Sequence, residues 1–171
     1  MIKSKRYIIF SAQMIAVAVL TFIDQLIKKL AVTHLMGKED IVLIKNFIGL
    51  SYAENTGAAF SAFSDSTMLL SIITLILLAG GVIFLFMGRI KGKILNTCAV
   101  LILAGGAGNL IDRFAQGYVV DYIKTLFIDF PVFNFADILV VVGCFVVMGY
   151  LIYDIIREEK QKKKEKTDGN S

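Results

Sequence analysis

The chain has 171 residues, 57% of them hydrophobic, with a mean hydropathy of +0.74 and a formal net charge of +4. Long apolar runs take up so much of this length that a separate soluble domain is excluded. The basic residues gather beside these runs, where they indicate membrane topology and argue against a nucleic-acid partner.

The apolar runs predict four transmembrane helices, at about residues 7–27, 67–88, 94–113 and 134–156. Each has roughly the 20 residues that cross a hydrocarbon core of ~30 Å. No small-residue cleavage site follows the first run, so we expect it to remain as an uncleaved first helix. Residues 1–171 are therefore predicted to form a single polytopic membrane domain.

Basic residues predict the orientation of the helices, because Lys and Arg are retained on the cytoplasmic side of a membrane. They concentrate before the first helix, in the link at 89–93 and in the tail at 157–171. Fewer lie in two longer segments at about 28–66 and 114–133. We therefore expect both termini in the cytoplasm and the two longer segments outside it. The tail is expected to be disordered and to touch anionic membrane lipids.

The first outer segment carries signals for short strands. Ile41–Ile44 and Phe47–Tyr52 are rich in β-branched and aromatic residues and are flanked by turn-forming residues. They predict short strands or a hairpin lying on the membrane surface. Ser64–Ser66 supplies a predicted N-cap for the second helix. The predicted fold class is an all-α membrane protein, with four transmembrane helices and a small extracytoplasmic β-rich platform.

Two polar motifs flank this platform. Asp24 and Lys28 are four residues apart at the end of the first helix, which predicts an ion pair at the membrane interface. Asn55–Phe60 has the sequence NTGAAF, and its small residues suit a backbone that approaches a ligand closely. An ordinary turn before the second helix is the simpler explanation of that motif taken alone.

The third helix ends in Gly108–Arg113, and its Asn109, Asp112 and Arg113 share one face. The small residues at 104–108 predict close helix packing. Two explanations of the arginine stay open. It is either an interfacial anchor with an intrahelical hydrogen bond, or a side chain that holds carbonyls or a carboxylate in a half-solvated site.

Two acids stand at the outer edge of the membrane. Asp121 lies among β-branched and aromatic residues, and such burial raises the pKa of a carboxyl. Asp137 opens the fourth helix three residues after Asn134, a pattern that by itself favours a helix-capping pair. The two acids lie at the same depth, and the loop between them is short enough to bring them together.

A close pair of carboxyls suggests hydrolytic chemistry. The two cannot both ionise, so one holds a proton at neutral pH while the other is a base, and the pair titrates as a unit. The base would take a proton from water and the acid would hydrogen-bond a scissile carbonyl, which suits peptide hydrolysis without a cofactor. The sequence leaves open which of Asp121 and Asp137 has which role.

Other chemistries have less support. His34 is the only histidine and has no nearby Ser or Cys for a triad, and Cys98 and Cys144 lack the spacing of a metal site. A transporter would need acids near mid-membrane, whereas the apolar runs are nearly free of ionisable groups. A non-catalytic binding scaffold stays open. So does an oxygen-only Mg²⁺ or Ca²⁺ site made of Asp112, Asp121, Asp137 and Asn134.

Four motifs in this order resemble those of the lipoprotein signal peptidases, also called signal peptidase II, a family of bacterial membrane aspartyl endopeptidases. The motifs are Asn-x-Gly-Ala-Ala-Phe, Gly-Asn-x-x-Asp-Arg, Val-Asp-Phe/Tyr and Phe-Asn-x-Ala-Asp. They are found here at Asn55–Phe60, Gly108–Arg113, Val120–Tyr122 and Phe133–Asp137. Asp24 and Lys28 match a further motif, although Ile27 stands where the family often has Ser or Thr.

The resemblance implies an endopeptidase that removes the signal peptide from a diacylglyceryl-modified prolipoprotein, cutting just before the lipidated cysteine. It implies that Asp121 and Asp137 are the catalytic dyad and that no cofactor is needed. The implied substrate-binding residues are Asn55, Gly57, Asn109, Arg113, Asn134, Asp24, Lys28 and Asp112. Expected partners are the lipid-modified substrate, membrane lipids and a globomycin-type cyclic peptide inhibitor. We also expect a monomer in the bacterial cytoplasmic membrane, with its active site facing outward.

Overall fold

The structure, a computed structural model, describes residues 2–57, 67–90 and 92–168. In these parts of the chain the helices are α1, Ile2–Leu35; α2, Thr67–Met87; α3, Lys93–Gln116; and α4, Phe135–Asp168. All four are long and apolar enough to cross a membrane. Together with a small sheet, they confirm the predicted fold class. The N-cap predicted at Ser64–Ser66 lies outside the described residues.

Helix α3 lies at the centre of the bundle and packs against the other three helices. Small residues allow this packing. A Cβ at Gly105 would collide with the carbonyl oxygen of Ala136, and one at Gly143 would lie 2.7 Å from the Ile102 side chain. The outward faces carry large exposed apolar side chains, among them Phe22, Ile76 and Phe145. Apolar outer faces of this extent suit lipid and not water, as expected of a multi-pass membrane protein.

A three-stranded antiparallel sheet covers one end of the bundle, in the order β1 (Ile41–Ile44), β2 (Ile48–Asn55) and β3 (Val119–Thr125). β1 and β2 form the predicted hairpin, and its turn contains Asn46 at a φ of 58°. The sequence pattern alone does not predict β3. Residues 119–122 are all buried, so this strand lacks the alternation that marks a half-exposed strand.

Helix α1 ends at Leu35 and not near residue 27. The last turns of α1 place Ala31 and Leu35 against Val120 and Tyr122 of β3. Tertiary packing of this apolar face stabilises the helix beyond residue 27.

Helix α4 also continues further than predicted, to Asp168 and not to about residue 156. The prediction of a disordered tail is therefore wrong for residues 157–168, whereas 169–171 lie outside the described residues. The reason is compositional, since no Gly or Pro interrupts this stretch and its Glu and Lys residues are good helix formers.

The bundle has two distinct ends. The sheet end comprises the sheet, the last turns of α1 and α3 and the first turn of α4. The tail end comprises the start of α1, the end of α2, the start of α3 and the end of α4. The polar motifs that stand out in the sequence converge at the sheet end.

Candidate active site

The first of the two acids, Asp121, is carried by β3 and is only 2% exposed. Its Oδ1 accepts a hydrogen bond of 2.6 Å from Nδ2 of Asn134, and its Oδ2 accepts one of 3.0 Å from Nδ2 of Asn55. The pairing of β2 with β3 sets Ala53 opposite Asp121 and Asn55 opposite Val119. The sheet register therefore brings Asn55 beside this acid.

The second acid, Asp137, lies in the first turn of α4 and forms a capping box with Asn134. The amide of Asp137 donates to Oδ1 of Asn134 at 3.0 Å, and the amide of Asn134 donates to Oδ2 of Asp137 at 3.1 Å. The capping pair predicted from the sequence is confirmed. The other carboxyl oxygen, Oδ1, accepts a hydrogen bond of 2.8 Å from Nδ2 of Asn109.

Asn134 therefore joins the acid pair, Asp121 and Asp137. Its side-chain amide binds the first acid and its backbone amide binds the second. It is fully buried, and its Nδ2 also lies 3.1 Å from Oδ1 of Asn109. A single residue thus fixes the two carboxyls relative to each other.

Burial is the main reason why the pKa of Asp121 is raised to about 6, and the negative charge of Asp137 acts in the same direction. The hydrogen bonds from Asn55 and Asn134 oppose this increase without cancelling it. The prediction that burial raises this pKa is confirmed. Asp121 therefore keeps its proton at pH values where an ordinary aspartate is ionised.

An ion cluster of Asp24, Lys28 and Asp112 lies beside the acid pair. Nζ of Lys28 is 2.9 Å from Oδ2 of Asp24 and 2.9 Å from Oδ2 of Asp112. The lysine is 3% exposed, and the two acids are 0% and 5% exposed. Gln25 adds a hydrogen bond of 2.9 Å to Oδ1 of Asp112. Buried ions need such complete pairing, because water cannot solvate them.

The carboxylates of the ion cluster bind the segments that carry the acid pair. Oδ1 of Asp24 accepts a hydrogen bond of 3.0 Å from the amide of Ala136, the residue before the second acid. Oδ2 of Asp112 accepts one of 3.2 Å from the amide of Val120, the residue before the first acid. Lys28 links the two carboxylates and thereby the start of α4 to β3.

Lys28 also sets the orientation of Asn109. Its Nζ donates to Oδ1 of Asn109 at 2.8 Å. An ammonium group can only donate, so it binds the oxygen of the amide and leaves the NH₂ group directed at Asp137. The lysine thus acts on the acid pair through one intervening side chain.

The ion cluster is buried and bonded within the protein, which favours a positioning role for Asp24, Lys28 and Asp112. That these three residues bind substrate stays a prediction. The predicted ion pair of Asp24 with Lys28 is present, and it is buried. The metal site considered from the sequence loses a ligand. Asp112 directs its oxygens at Lys28, Gln25 and the Val120 amide and away from the acid pair.

Arg113 and Gly57 lie together in the site. Nη2 of Arg113 donates to the carbonyl oxygen of Gly57 at 3.3 Å, and the amide of Gly57 donates to Oδ1 of Asn55 at 3.0 Å. The buried Nε of Arg113 has no partner among the described residues. This side chain therefore does not follow the snorkelling explanation. The rest of the Gly57 motif, 58–60, lies outside the described residues.

Two apolar pockets meet at Asp137. One has a volume of about 390 Å³ and also reaches Asn55, and the other, of about 270 Å³, also reaches Asn109 and Arg113. The walls of the first include Pro131, Phe133, Ile138 and Val142. The walls of the second include Leu77, Leu78, Ile102 and Val140. Each pocket therefore combines a polar end at the acid with apolar walls.

Two further residues of the site had no role assigned from the sequence. The hydroxyl of Tyr122 accepts a hydrogen bond of 3.1 Å from the amide of Phe135, and burial raises the pKa of this tyrosine to about 12. Nε2 of Gln25 donates to the carbonyl oxygen of Gly108 at 3.1 Å. Their partners belong to other elements, so these contacts could not be derived from the sequence, although Tyr122 lies within the Val-Asp-Phe/Tyr motif.

Comparison with known proteins identifies the family. A family model described as signal peptidase (SPase) II matches residues 15–153, which is most of the chain. The chain belongs to the signal peptidase II family. This finding confirms the resemblance carried by the four motifs, and it places the chain among the aspartic proteases.

Signal peptidase II relatives are similar over nearly the whole chain. A lipoprotein signal peptidase of Clostridium acetobutylicum is 37% identical over 155 residues, which cover 89% of this chain and 99% of the relative. One of Clostridium tetani is 39% identical over 142 residues, 81% of this chain and 91% of the relative. A solved bacterial membrane enzyme, 28% identical, matches with a TM-score of 0.78 over 85% of this chain and 90% of that one.

Proposed function

We propose that this signal peptidase II family member removes the signal peptide from prolipoproteins, cutting just before the diacylglyceryl-modified cysteine. The name of its relatives, lipoprotein signal peptidase, supports the substrate class. The observation that carries the proposed reaction is the hydrogen bonding of Asn134 to both Asp121 and Asp137. Two carboxyls held by one residue support a reaction in which both act on a single water.

In the proposed reaction Asp137 is the general base and Asp121 is the general acid. Asp137 takes a proton from water while the water oxygen attacks the scissile carbonyl carbon, and Asp121 protonates the carbonyl oxygen. The gem-diol then collapses. Asp137 passes its proton to the leaving nitrogen, Asp121 takes its proton back, and the C–N bond breaks. The signal peptide leaves with a carboxyl group and the lipidated cysteine gains a free amine, with no covalent enzyme intermediate.

The surroundings of the two acids support this division of roles. The raised pKa of Asp121 favours a protonated carboxyl, which is what a general acid requires. Asp137 lies at a helix N-terminus and accepts hydrogen bonds from a backbone amide and from Asn109. Such donors suit a carboxylate, which is what a general base requires.

Five residues are proposed to hold the substrate backbone: Asn55, Gly57, Asn109, Arg113 and Asn134. The buried Nε of Arg113 is a donor without a partner in the described parts of the chain, and Arg113 lines a pocket that reaches Asp137. A peptide carbonyl or an ester oxygen is an acceptor of the right kind. An unpaired buried donor costs ~1–3 kcal/mol, and a bound acceptor would recover that cost. Asp24, Lys28 and Asp112 are proposed as positioning residues.

The proposed site faces outward at the surface of the bacterial cytoplasmic membrane, and both termini lie in the cytoplasm. Basic residues at the tail end support this orientation. The two apolar pockets beside Asp137 are proposed to receive acyl chains and the apolar part of the signal peptide. We propose that the enzyme acts as a monomer and that globomycin-type cyclic peptides inhibit it by occupying this site.

Cleavage of a diacylglyceryl-modified precursor, followed by gel shift with purified protein in detergent, tests the proposal. Asp121→Asn and Asp137→Asn should each fold and insert, yet lose about 10²–10⁴-fold in turnover because the proton cycle is broken. Asp129→Asn changes an exposed carboxylate in the loop between β3 and α4 and should keep wild-type turnover. Turnover retained by either variant of the acid pair would rule out this mechanism.

Two further experiments test the substrate class and the catalytic chemistry separately. A precursor without the diacylglyceryl group should be cleaved much more slowly, and equal cleavage would reject the substrate class while leaving the acid pair untouched. EDTA should leave the rate unchanged. A loss of activity that Mg²⁺ restores would favour a metal site over the acid pair.

A further inference from the structure

The tail end contains a cavity that has no part in the proposed function. It has a volume of about 530 Å³ and lies between the start of α1, the end of α2 and the start of α3. The acid pair lies at the opposite end of the bundle. The chemistry of the cavity walls therefore calls for an explanation of its own.

Cations line the cavity. Lys5, Arg6 and Lys93 line it, whereas no described Asp or Glu does. None of the three forms a salt bridge within the part of the chain that the structure describes. The sequence contains no acid at 1–23 or 67–111, so the elements around the cavity bring no counter-charge. Three uncompensated cations call for an anionic ligand.

The guanidinium of Arg6 is held in place by its neighbours. Its Cζ lies 5.4 Å from the centre of the Tyr7 ring and 5.8 Å from the centre of the Phe86 ring. Gly88 turns the chain beside it at a φ of 64°, and a Cβ there would lie 3.4 Å from Cδ of Arg6. The cation is thus positioned by packing and not by an acid.

The neutral polar wall of the cavity is also fixed. Nδ2 of Asn96 donates to the carbonyl oxygens of Ile90 at 2.9 Å and Gly92 at 2.7 Å. Oδ1 of Asn96 accepts a hydrogen bond of 2.7 Å from Nε2 of Gln13. These bonds join α1 to the start of α3. The cavity is therefore formed before any ligand binds.

The remaining wall is apolar, and it decides which kind of anion fits. It is formed by Ile9, Leu85, Met87 and Ile90. Cations beside an apolar wall suit an amphiphile with an anionic head, and the cavity lies at the ends of membrane-spanning helices, where lipid headgroups meet the protein. We propose that this cavity binds the phosphate headgroup of an anionic phospholipid such as phosphatidylglycerol, with Arg6 and Lys93 as its main cationic ligands.

The absence of tryptophan from the chain allows a direct test. Ile9→Trp places a single fluorescent reporter on the cavity wall, and Phe114→Trp places a control reporter at an exposed position of the sheet end. The full-length protein is reconstituted in phosphatidylcholine vesicles and titrated with brominated phosphatidylglycerol or brominated phosphatidylcholine. We expect phosphatidylglycerol to associate at least about fivefold more strongly at the Ile9→Trp reporter, and nearly equally at the control.

Charge variants in the Ile9→Trp background identify the ligands. The double substitution Arg6→Gln and Lys93→Gln should remove the preference for phosphatidylglycerol, because each cation contributes about fivefold to it. Lys29→Gln with Lys45→Gln removes the same charge from exposed positions at the sheet end and should keep it. Circular dichroism verifies that the helices remain. If the double cavity variant does not fold, Lys93→Gln alone, which leaves the packed Arg6 in place, provides the same comparison.

Several outcomes would overturn the proposal. One is equal quenching by the two lipids at the cavity reporter, and another is a preference that survives the cavity substitutions. An equal decrease in the Lys29 and Lys45 variant would show that overall charge attracts the lipid. Millimolar inorganic phosphate should not relieve the quenching, and relief would identify a free-phosphate site in place of a lipid site.

Discussion

The sheet end and the tail end are built from the same four helices, yet they treat polar groups differently. At the sheet end, Asp24, Lys28 and Asp112 are buried, bonded to one another and bonded to backbone amides of other elements. At the tail end, a hydrogen bond between Gln13 and Asn96 joins α1 to α3, and the lysine and arginine side chains face a cavity.

The difference between the two ends indicates why charged side chains are buried at the sheet end. Moving a carboxylate or an ammonium out of water costs several kcal/mol per ion, and well-packed apolar residues would often stabilise such a position as much or more. The ion cluster is therefore better explained by its role in positioning the acid pair than by a contribution to the stability of the fold. It fixes the two backbone amides that precede the acid pair. The tail end places no reacting groups, so helix packing suffices there.

The substitution Lys28→Met, at the sheet end, should have the largest effect on both stability and turnover. It leaves two buried carboxylates without their cation, and removing one partner of a buried ion pair costs about 3–5 kcal/mol. Asn109 also loses the contact that sets its orientation. We expect turnover to fall about a hundredfold in molecules that remain folded, because the acid pair is displaced.

The matched control is Lys29→Met, which removes an exposed lysine from the next position of α1 and should change neither property. Unfolding followed by circular dichroism and turnover of the lipidated precursor separate the two effects. A wild-type kcat in Lys28→Met would show that the ion cluster does not position the acid pair.

The pH dependence of kcat/KM sharpens the assignment of roles at the sheet end. Burial and the charge of Asp137 raise the pKa of Asp121 to about 6. The acid form is lost as the pH rises through this value, so kcat/KM should fall about tenfold per unit above it. If Asp121 were the base, kcat/KM would instead rise through the same range, and the assignment would be reversed.

Close helix packing can be compared along the bundle with Gly105→Ala and Gly143→Ala. The Cβ at Gly105 meets the backbone of Ala136, next to the acid pair, whereas the one at Gly143, nearer the tail end, meets mainly the Ile102 side chain. Overpacking costs about 1–3 kcal/mol, so both variants should unfold at lower temperature. Only Gly105→Ala should also reduce turnover in folded molecules, because it displaces the start of α4.

Gly149→Ala is the matched control, since no atom lies within 4 Å of the added Cβ among the described residues. It should be neutral or stabilise the helix by up to about 1 kcal/mol. Equal turnover in Gly105→Ala and Gly143→Ala would contradict the link between this packing and the acid pair.

The smallest expected effect is that of Arg113→Lys. Lysine keeps the charge but lacks the Nε donor, which is buried without a partner within the described residues. One lost hydrogen bond from a charged group is worth about 1.5 kcal/mol, so KM should rise about tenfold with little change in kcat. A fall in kcat with KM unchanged would place this arginine in the chemical step.

Much of the fold can be predicted because it depends on residues close together in the chain. The apolar runs determine the four helices, and β-branched residues around a turn predict the hairpin of β1 and β2. The capping box joins Asn134 and Asp137, which are three positions apart in the chain. The two acids stand out because carboxyls are rare beside membrane spans.

The rest of the site could not be predicted, because it depends on contacts between distant segments. Asp24 binds the amide of Ala136, 112 positions away, and this contact suits a buried support for the acid pair. Strand β3 is buried too completely to show alternation. The extension of α1 depends on packing against Val120 and Tyr122, which no local pattern reveals.

The most direct test of a shared site is a double-mutant cycle on the acid pair, measured as single-turnover cleavage of a lipidated precursor. Asp121→Asn, Asp137→Asn and the double variant are compared under the same conditions. If the two carboxyls share one proton cycle, the double variant is no slower than either single variant, because the loss of one acid already disables the other. Losses that multiply in the double variant would contradict the shared site.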